Sequence, residues 1–241
     1  MSHEHRVSQR DGAIEHALDK SQRQDDSMKK DNIVVLDNTA QQTRMPFKFL
    51  DAYGPEDTNI FFGREFEIEE LLRHVQHSRL IVLHGDSGSG KSSLVKCGLV
   101  SHLPAEDIQL LTLSCHESPL ETALSATAAL LPVDEATALA ATAGSNQLAI
   151  LADRASAYLN RTLVFVFDQF EELFMLHSPE MRAEFDKELA SLLSVPGNVK
   201  VLVVVRQECV DQLSKLKSFG LDLDGSRMWL RHMSIETATT A

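Results

Sequence analysis

The sequence is poor in cysteine and has no long apolar run. Its three cysteines, Cys97, Cys115 and Cys209, lie far apart and form no Cys-x-x-Cys pair. This odd, sparse set argues against a disulfide framework and predicts reduced thiols that serve as small core residues. The longest apolar runs, 163–167 and 201–205, have the length of strands and fall far short of the roughly 20 residues that a membrane helix needs. The N-terminus also lacks an apolar signal core, so we expect a cytoplasmic protein without a membrane partner.

Positive charge is scarce as well. The chain has 23 Lys and Arg residues against 35 Asp and Glu residues, which gives a net charge of −12. The only adjacent positive pair is Lys29-Lys30, so we expect no general affinity for nucleic acid. Apolar residues are plentiful in contrast, because 43% of the 241 residues are hydrophobic. That share is enough to build the core of one large domain.

One segment matches the phosphate-binding pattern G-x-x-x-x-G-K-[ST] without a gap. It follows the apolar run 80–83 and precedes a helical pattern, and this strand–loop–helix context is what a P-loop requires. The backbone N–H groups of such a loop face phosphate oxygens, Lys91 can reach the β- and γ-phosphates, and the Ser92 hydroxyl can ligate Mg²⁺. The predicted nucleotide contacts are Gly85, Asp86, Ser87, Gly88, Ser89, Gly90, Lys91, Ser92 and Ser93.

Composition divides the chain into two parts. Residues 1–45 are polar, and we expect a mostly flexible segment with one short strand or docking segment at 33–36. Residues 46–241 have the composition of a folded domain, and we expect order to begin near 46–50.

Strands alternate with helices along this second part. The predicted strands are 80–84, 108–113, 163–167, 201–205 and 227–233. Helices are predicted after residue 65, after the P-loop, over 119–159 with breaks at Pro132 and at 144–145, over 179–194, and over 207–216. The alternation predicts an α/β fold, a three-layer sandwich around a parallel five-stranded sheet.

Acidic residues follow the third predicted strand. Asp168 ends this apolar strand, which is the Walker B arrangement, so its carboxylate is predicted to hold Mg²⁺ at the same sheet edge as the P-loop. Glu171 and Glu172 are the candidates for orienting and deprotonating the attacking water. Both glutamates also suit the first turn of a helix, where the dipole stabilises negative charge. The sequence does not decide between the two residues.

The arrangement of the two motifs narrows the class of nucleotide-binding protein. A predicted strand lies between the P-loop and Asp168, and an extra glutamate follows, which resembles the additional-strand, catalytic-glutamate division of P-loop ATPases. The N-K-x-D motif of GTPases and the L-S-G-G-Q signature of transporters are absent. Arg206 ends the fourth predicted strand, where it could sense ATP against ADP or form an ordinary surface salt bridge.

Together these motifs resemble the bacterial STAND NTPases, relatives of the NACHT and NB-ARC families. The resemblance covers about residues 46–240 and depends on the strings F-F-G-R-E at 61–65 and D-Q-F-E-E-L-F at 168–174, with the P-loop and Arg206. It implies the sheet order 5-1-4-3-2 and a site for ATP or ADP with Mg²⁺. It also implies that four residues line the adenine and ribose side, largely through backbone: Phe61, Phe62, Gly63 and Arg64.

The same resemblance implies a signalling switch that is closed with ADP and oligomeric with ATP, in many members linked to defence against phage. Two features depart from the family. Val204-Val205-Arg206 replaces the Thr-Ser-Arg or Thr-Thr-Arg sensor, and the sequence ends at Ala241, where a helical and a winged-helix domain follow in relatives. We therefore expect either part of a larger switch or a short member that needs partners; its trigger and effector are not evident.

Three functions remain open from the sequence. The first is a switch that hydrolyses ATP slowly, through electrostatic preorganisation rather than covalent chemistry. The second is a nucleotide-dependent assembly module with little hydrolysis of its own. The third is a DNA-linked ATPase of the AAA+ type, against which the acidic balance argues.

Overall fold

The computed structural model describes residues 52–141, 144, 146–196, 198–220 and 226–233. The predicted flexible segment 1–45, the strand at 33–36 and the start of order at 46–50 lie outside them. Five parallel strands form one sheet in the order β2-β3-β4-β1-β5, which confirms the predicted fold and strand order. The strands are β1 Leu80–Gly85, β2 Ile108–Ser114, β3 Thr162–Asp168, β4 Val199–Arg206 and β5 Arg227–Trp229.

The helices follow the predicted pattern closely. They are α1 Glu65–His77, α2 (residues 91–102), α3 Pro119–Ala128, α4 Val133–Ala141, α5 Gln147–Leu159, α6 Glu171–Leu176 and α7 Pro179–Ser194. The gap between α3 and α4 confirms the break at Pro132. The break predicted at 144–145 falls between the end of α4 and the start of α5, where residue 145 lies outside the described residues. Helix α2 is α-helical at both ends and π-helical over Leu94–Leu99. Short 3-10 helices cover Pro55–Ile60, Gln207–Lys215 and Lys217–Phe219.

Helices cover both faces of the sheet and make the three layers. Side chains of a strand alternate between faces, so a strand covered on both sides is apolar along its buried length, as β3 is over 163–167 and β4 over 201–205. On one face, Ala123 of α3, Leu148 of α5 and Phe185 of α7 belong to a single buried cluster. On the other face, Leu71 of α1 and Leu94 of α2 pack with alternate residues of the same strands.

Two predicted elements differ in detail. The fifth strand was predicted over 227–233 but pairs only over Arg227–Trp229. Its neighbour β1 turns into the P-loop after Gly85. Leu230 N still donates to His84 O at 2.7 Å, but residues 231–233, the last that the structure describes, pair with no strand. The helix predicted at 207–216 is a 3-10 helix over Gln207–Lys215.

The cysteines behave as the sequence predicted. Cys97, Cys115 and Cys209 are buried and form no disulfide. Burial raises the pKa of the Cys209 thiol, which keeps it protonated and unreactive. In the part of the chain that the structure describes, no helix is both long and apolar enough to cross a membrane.

Two buried carboxylates on α7 hold neighbouring segments in place. Glu188 accepts hydrogen bonds from Asn146 N at 2.6 Å and from Leu148 N at 3.1 Å, so it caps the free amides at the start of α5. Asp186 accepts from Lys217 N at 2.8 Å and from Ser218 N at 2.9 Å. Helix α7 therefore anchors both α5 and the chain that leads towards β5.

Replacing Glu188 with glutamine is expected to lower the free energy of unfolding by about 1–3 kcal/mol, because a buried charge-assisted cap is lost. Glu184→Gln, an exposed position on the same helix, is the matched control and should change it by less than about 0.5 kcal/mol. Urea unfolding followed by circular dichroism measures both. Equal effects of the two variants would contradict the capping role.

Candidate functional site

The carboxyl ends of β1, β3 and β4 meet at one edge of the sheet, where parallel α/β sheets bind their ligands. A cavity of about 470 Å³ opens there, within the size range of small-molecule sites. Its lining is mostly polar and comes from the P-loop, α2, the ends of β3 and β4, and the chain before the first 3-10 helix. The lining residues are Ala52, Tyr53, Ser87, Gly88, Gly90, Lys91, Ser92, Ser93, Lys96, Asp168, Gln169, Glu171, Val204 and Arg206.

Glycines at three positions determine the shape of the P-loop. Gly88 and Gly90 have φ angles of 77° and 93°, in the left-handed region that side chains disfavour. Gly85 is required for another reason, since a Cβ atom there would lie 2.2 Å from the carbonyl oxygen of Leu230. The Ser89 hydroxyl is buried without a hydrogen-bond partner among the described residues. The glycines thus set the course of the loop, and Ser89 itself does not line the cavity.

Lys91 folds back over this loop. Its Nζ donates to Gly85 O and to Asp86 O, both at 2.8 Å. Burial lowers the pKa of Lys91, and the nearby Arg206 cation lowers it further, whereas Glu171 opposes the shift. The ammonium group is therefore held where its charge is poorly solvated, and an anion in the cavity would stabilise it.

Ser92 and Asp168 form the pair expected of a magnesium site. The Ser92 hydroxyl donates to Asp168 Oδ1 at 3.0 Å, and Asp168 is only 7% exposed. The second carboxylate oxygen, Oδ2, lies 3.1 Å from Lys96 Nζ. Hydroxyl and carboxylate oxygens are ligands that Mg²⁺ accepts, so these residues fit the ion. No group of three or more His, Cys, Asp or Glu side chains within the described ranges could hold a metal, so phosphate oxygens and water would complete the coordination.

Glu171 faces the cavity and is paired with Arg206. Its Oε1 lies 2.8 Å from Arg206 Nε, and its Oε2 accepts a hydrogen bond from Arg206 N at 3.2 Å. Glu171 is 5% exposed, whereas the Arg206 side chain is 46% exposed. The turn that places Glu171 there begins with Gln169 at a φ of 55° and continues with Phe170 N donating to Val204 O at 2.9 Å.

Glu172 points elsewhere, although it is the next residue. It does not line the cavity, and its Oε2 lies 3.7 Å from His116 Nδ1. Burial raises the pKa of the neighbouring Cys115 thiol, and the Glu172 charge raises it further. Successive residues of a helix are turned by about 100°, and of these two adjacent glutamates only Glu171 lines the cavity.

The segment 61–64 lies beside the cavity, outside its described lining. Phe61 packs 5.7 Å from the Tyr53 ring, and Phe62 is 49% exposed. The Arg64 side chain is buried and turned towards the back of the P-loop. Its Nη2 donates to Ser89 O at 3.0 Å and to Arg231 O at 2.9 Å, and its Nη1 pairs with Glu67.

The cavity also contains residues that were not predicted from the sequence as site residues, among them Tyr53 and Lys96. Tyr53 lines the cavity next to α2, where its backbone N donates to Ser93 Oγ at 3.1 Å. Nothing in its local pattern marks it. Lys96 did carry a signal: it lies four residues after Ser92 in a predicted helix, and so on the same face.

Comparison with known proteins agrees with this geometry. The family model described as Novel STAND NTPase 1 matches residues 46–241. Among solved structures, the Walker-type ATPase PABY2304 of Pyrococcus abyssi is similar with a TM-score of 0.55 and 17% identity over 81% of this chain. The ADP form of the ORC2 protein of Aeropyrum pernix is similar with a TM-score of 0.52 and 18% identity over 76% of this chain. A comparison with curated proteins finds no match.

At these identities the structural neighbours establish the fold alone. The matched region of this chain spans 60% of the Pyrococcus protein and 50% of the Aeropyrum protein. Both neighbours are therefore longer than the part they share with this chain.

Proposed function

Because the chain belongs to the Novel STAND NTPase 1 family, we propose that its cavity binds ATP with Mg²⁺ and hydrolyses it slowly, as the nucleotide module of a signalling switch. One observation carries the proposal: Lys91, Ser92, Asp168, Glu171 and Arg206 come from four separate segments and line a single cavity. The ADP form of a structural neighbour supports adenine as the base. As the family resemblance implies, the switch would act in defence against phage and oligomerise with ATP.

Phosphate binding would be the work of the loop and α2. The backbone amides between Gly85 and Lys91 would donate to phosphate oxygens, and the Lys91 ammonium would move from the Gly85 and Asp86 carbonyls to the β- and γ-phosphates. Ser92 and Asp168 would hold Mg²⁺, which neutralises charge on the phosphates when it is bound. The positive charge of Lys91 would thereby stabilise the negative charge of the β- and γ-phosphates.

Glu171 would orient the attacking water and take its proton onto a carboxylate oxygen. In the structure this carboxylate is paired with Arg206. A γ-phosphate would compete with Glu171 for the half-exposed guanidinium, and the carboxylate would then be released to bind water. Arg206 would in this way couple the presence of the third phosphate to the activation of the base.

The Arg206–Glu171 pair also favours a second candidate, an assembly module whose base is active only after subunits associate. Calorimetry with ATP and GTP, combined with phosphate release measured against protein concentration, separates the two. We expect magnesium-dependent ATP binding and slow turnover by dilute protein. Turnover that appears only as protein concentration rises would favour the assembly module, and a protein that binds neither nucleotide would refute both.

DNA binding is to be measured in the same preparation. The acidic balance predicts none, even at low salt. Binding that weakens steeply as salt is added would instead favour the DNA-linked alternative.

A further inference from the structure

We propose that Lys96 is an internal counter-ion of the magnesium site, which occupies Asp168 when the metal is absent and competes with Mg²⁺ for it. The inference rests on the proposed nucleotide site. It assigns to Lys96 a role that neither the P-loop pattern nor the Walker B pattern contains: setting how strongly nucleotide binding depends on Mg²⁺.

Both carboxylate oxygens of Asp168 are engaged. Oδ1 accepts from the Ser92 hydroxyl and from Gln169 N, each at 3.0 Å, and Oδ2 faces the Lys96 ammonium at 3.1 Å. The carboxylate is buried, and a buried charge requires a compensating partner. Lys96 is that partner, and the cation stands next to the two side chains that suit a magnesium ion.

The two members of this ion pair differ in freedom. The Asp168 side chain is 9% exposed, whereas that of Lys96 is 41% exposed. The aspartate is fixed by β3 and by its two other donors, but the lysine reaches it by a flexible stem with its head near solvent. The Lys96 ammonium can therefore move away from Asp168 without disturbing the surrounding fold, and Mg²⁺ could then take its position.

The backbone of α2 supports this arrangement. Lys96 lies in the π-helical part, Leu94–Leu99, between two α-helical ends. A π segment widens one turn of a helix and occurs frequently at functional sites. In α2 it begins directly after Ser93, and four polar residues of this one helix line the same cavity: Lys91, Ser92, Ser93 and Lys96.

Two consequences of opposite sign follow from the charge. The positive charge of Lys96 repels a divalent cation and blocks Oδ2, so it weakens Mg²⁺ binding. It also balances Asp168, which would otherwise repel the phosphates, so it strengthens nucleotide binding without metal. Removing Lys96 should make Mg²⁺ bind more tightly and metal-free nucleotide bind more weakly.

The test measures ATP affinity of the full chain by calorimetry, first in EDTA and then over a series of Mg²⁺ concentrations. For Lys96→Met, the ratio of the dissociation constant in EDTA to that in saturating Mg²⁺ should rise about tenfold, and the Mg²⁺ concentration at half effect should fall. Lys96→Arg keeps the charge and should stay close to wild type. Lys215→Met, at an exposed lysine, is the matched control and should not move the ratio.

If the ratio of the two dissociation constants were unchanged in Lys96→Met, the inference would be overturned. This includes the case in which ATP affinity falls equally in EDTA and in Mg²⁺, the result expected if Lys96 only contacts a phosphate. Lys96→Gln provides a second neutral variant if the methionine variant does not fold, as judged by its thermal melt. Wild-type protein that binds no nucleotide would refute the proposed function itself. Wild-type binding with an unaltered ratio in both neutral variants would refute the role of Lys96 alone.

Discussion

Replacing Lys91 with alanine is expected to abolish ATP binding, with a loss of affinity of roughly 100-fold or more. Two charge-assisted hydrogen bonds to phosphate, each contributing about 1.5–3 kcal/mol, are lost together. Calorimetry with ATP and Mg²⁺ measures the loss. Lys215→Ala, which removes an exposed lysine outside the cavity, should bind ATP like wild type. An unaltered dissociation constant in Lys91→Ala would show that the cavity is not the phosphate site.

The fold should survive this substitution. Burial lowers the pKa of Lys91 in the folded chain, so the unfolded chain binds the proton more tightly, and below both pKa values the charge destabilises the folded state. The melting temperature of nucleotide-free Lys91→Ala should therefore not fall below that of wild type. In the wild-type protein, Lys91 loses its proton at a lower pH than an ordinary lysine does. The affinity for ATP should therefore begin to decline at a lower pH than it would if Lys91 had the usual pKa.

Replacing Glu171 with glutamine is expected to reduce phosphate release by roughly 100-fold or more while ATP stays bound, because general-base catalysis contributes about that factor. Glutamine keeps the size of the side chain but cannot take a proton from water. Glu172→Gln is the matched control, since Glu172 faces His116 and not the cavity, and it should hydrolyse ATP at the wild-type rate.

Single-turnover hydrolysis of radiolabelled ATP, with bound nucleotide identified afterwards, tests this pair of variants. Retained ATP in Glu171→Gln and released ADP in Glu172→Gln are the expected results. The reverse outcome would assign the base to Glu172 and would require α6 to turn when nucleotide binds. Equal, full activity in both variants would remove the two glutamates from the mechanism.

The sheet could be predicted from the sequence because its signals are local. The runs 163–167 and 201–205 are apolar on both faces, which only a central parallel strand requires. The strand order, by contrast, followed from the family resemblance, since no local pattern fixes which strands are neighbours. The end of β5 was missed because it depends on where β1 stops, not on the residues of β5.

The site was harder to predict because it depends on rotations about helix axes. Glu171 and Glu172 are indistinguishable as letters, and the turn at Gln169 decides which one faces the cavity. The sequence pattern around Lys96 is that of an ordinary surface lysine, and only the course of α2 brings its ammonium group to the Asp168 carboxylate. The resemblance implies that Arg64 lies on the adenine and ribose side, largely through its backbone, and the hydrogen bonds of its guanidinium to the Ser89 and Arg231 carbonyls could not be predicted from the sequence. Such contacts join residues far apart in sequence and leave no local signature.

Arg64 has a mechanical consequence. From its place just before α1, its single guanidinium donates to the carbonyl of Ser89 in the P-loop and to the carbonyl of Arg231 just after β5. If the chain after β5 is displaced, the P-loop must move with it. Otherwise the buried guanidinium of Arg64 loses a hydrogen-bond acceptor, at a cost of about 1–3 kcal/mol. A displacement of the chain after β5 would therefore shift the P-loop, the proposed phosphate site, and a shift of the P-loop on phosphate binding would displace the chain after β5.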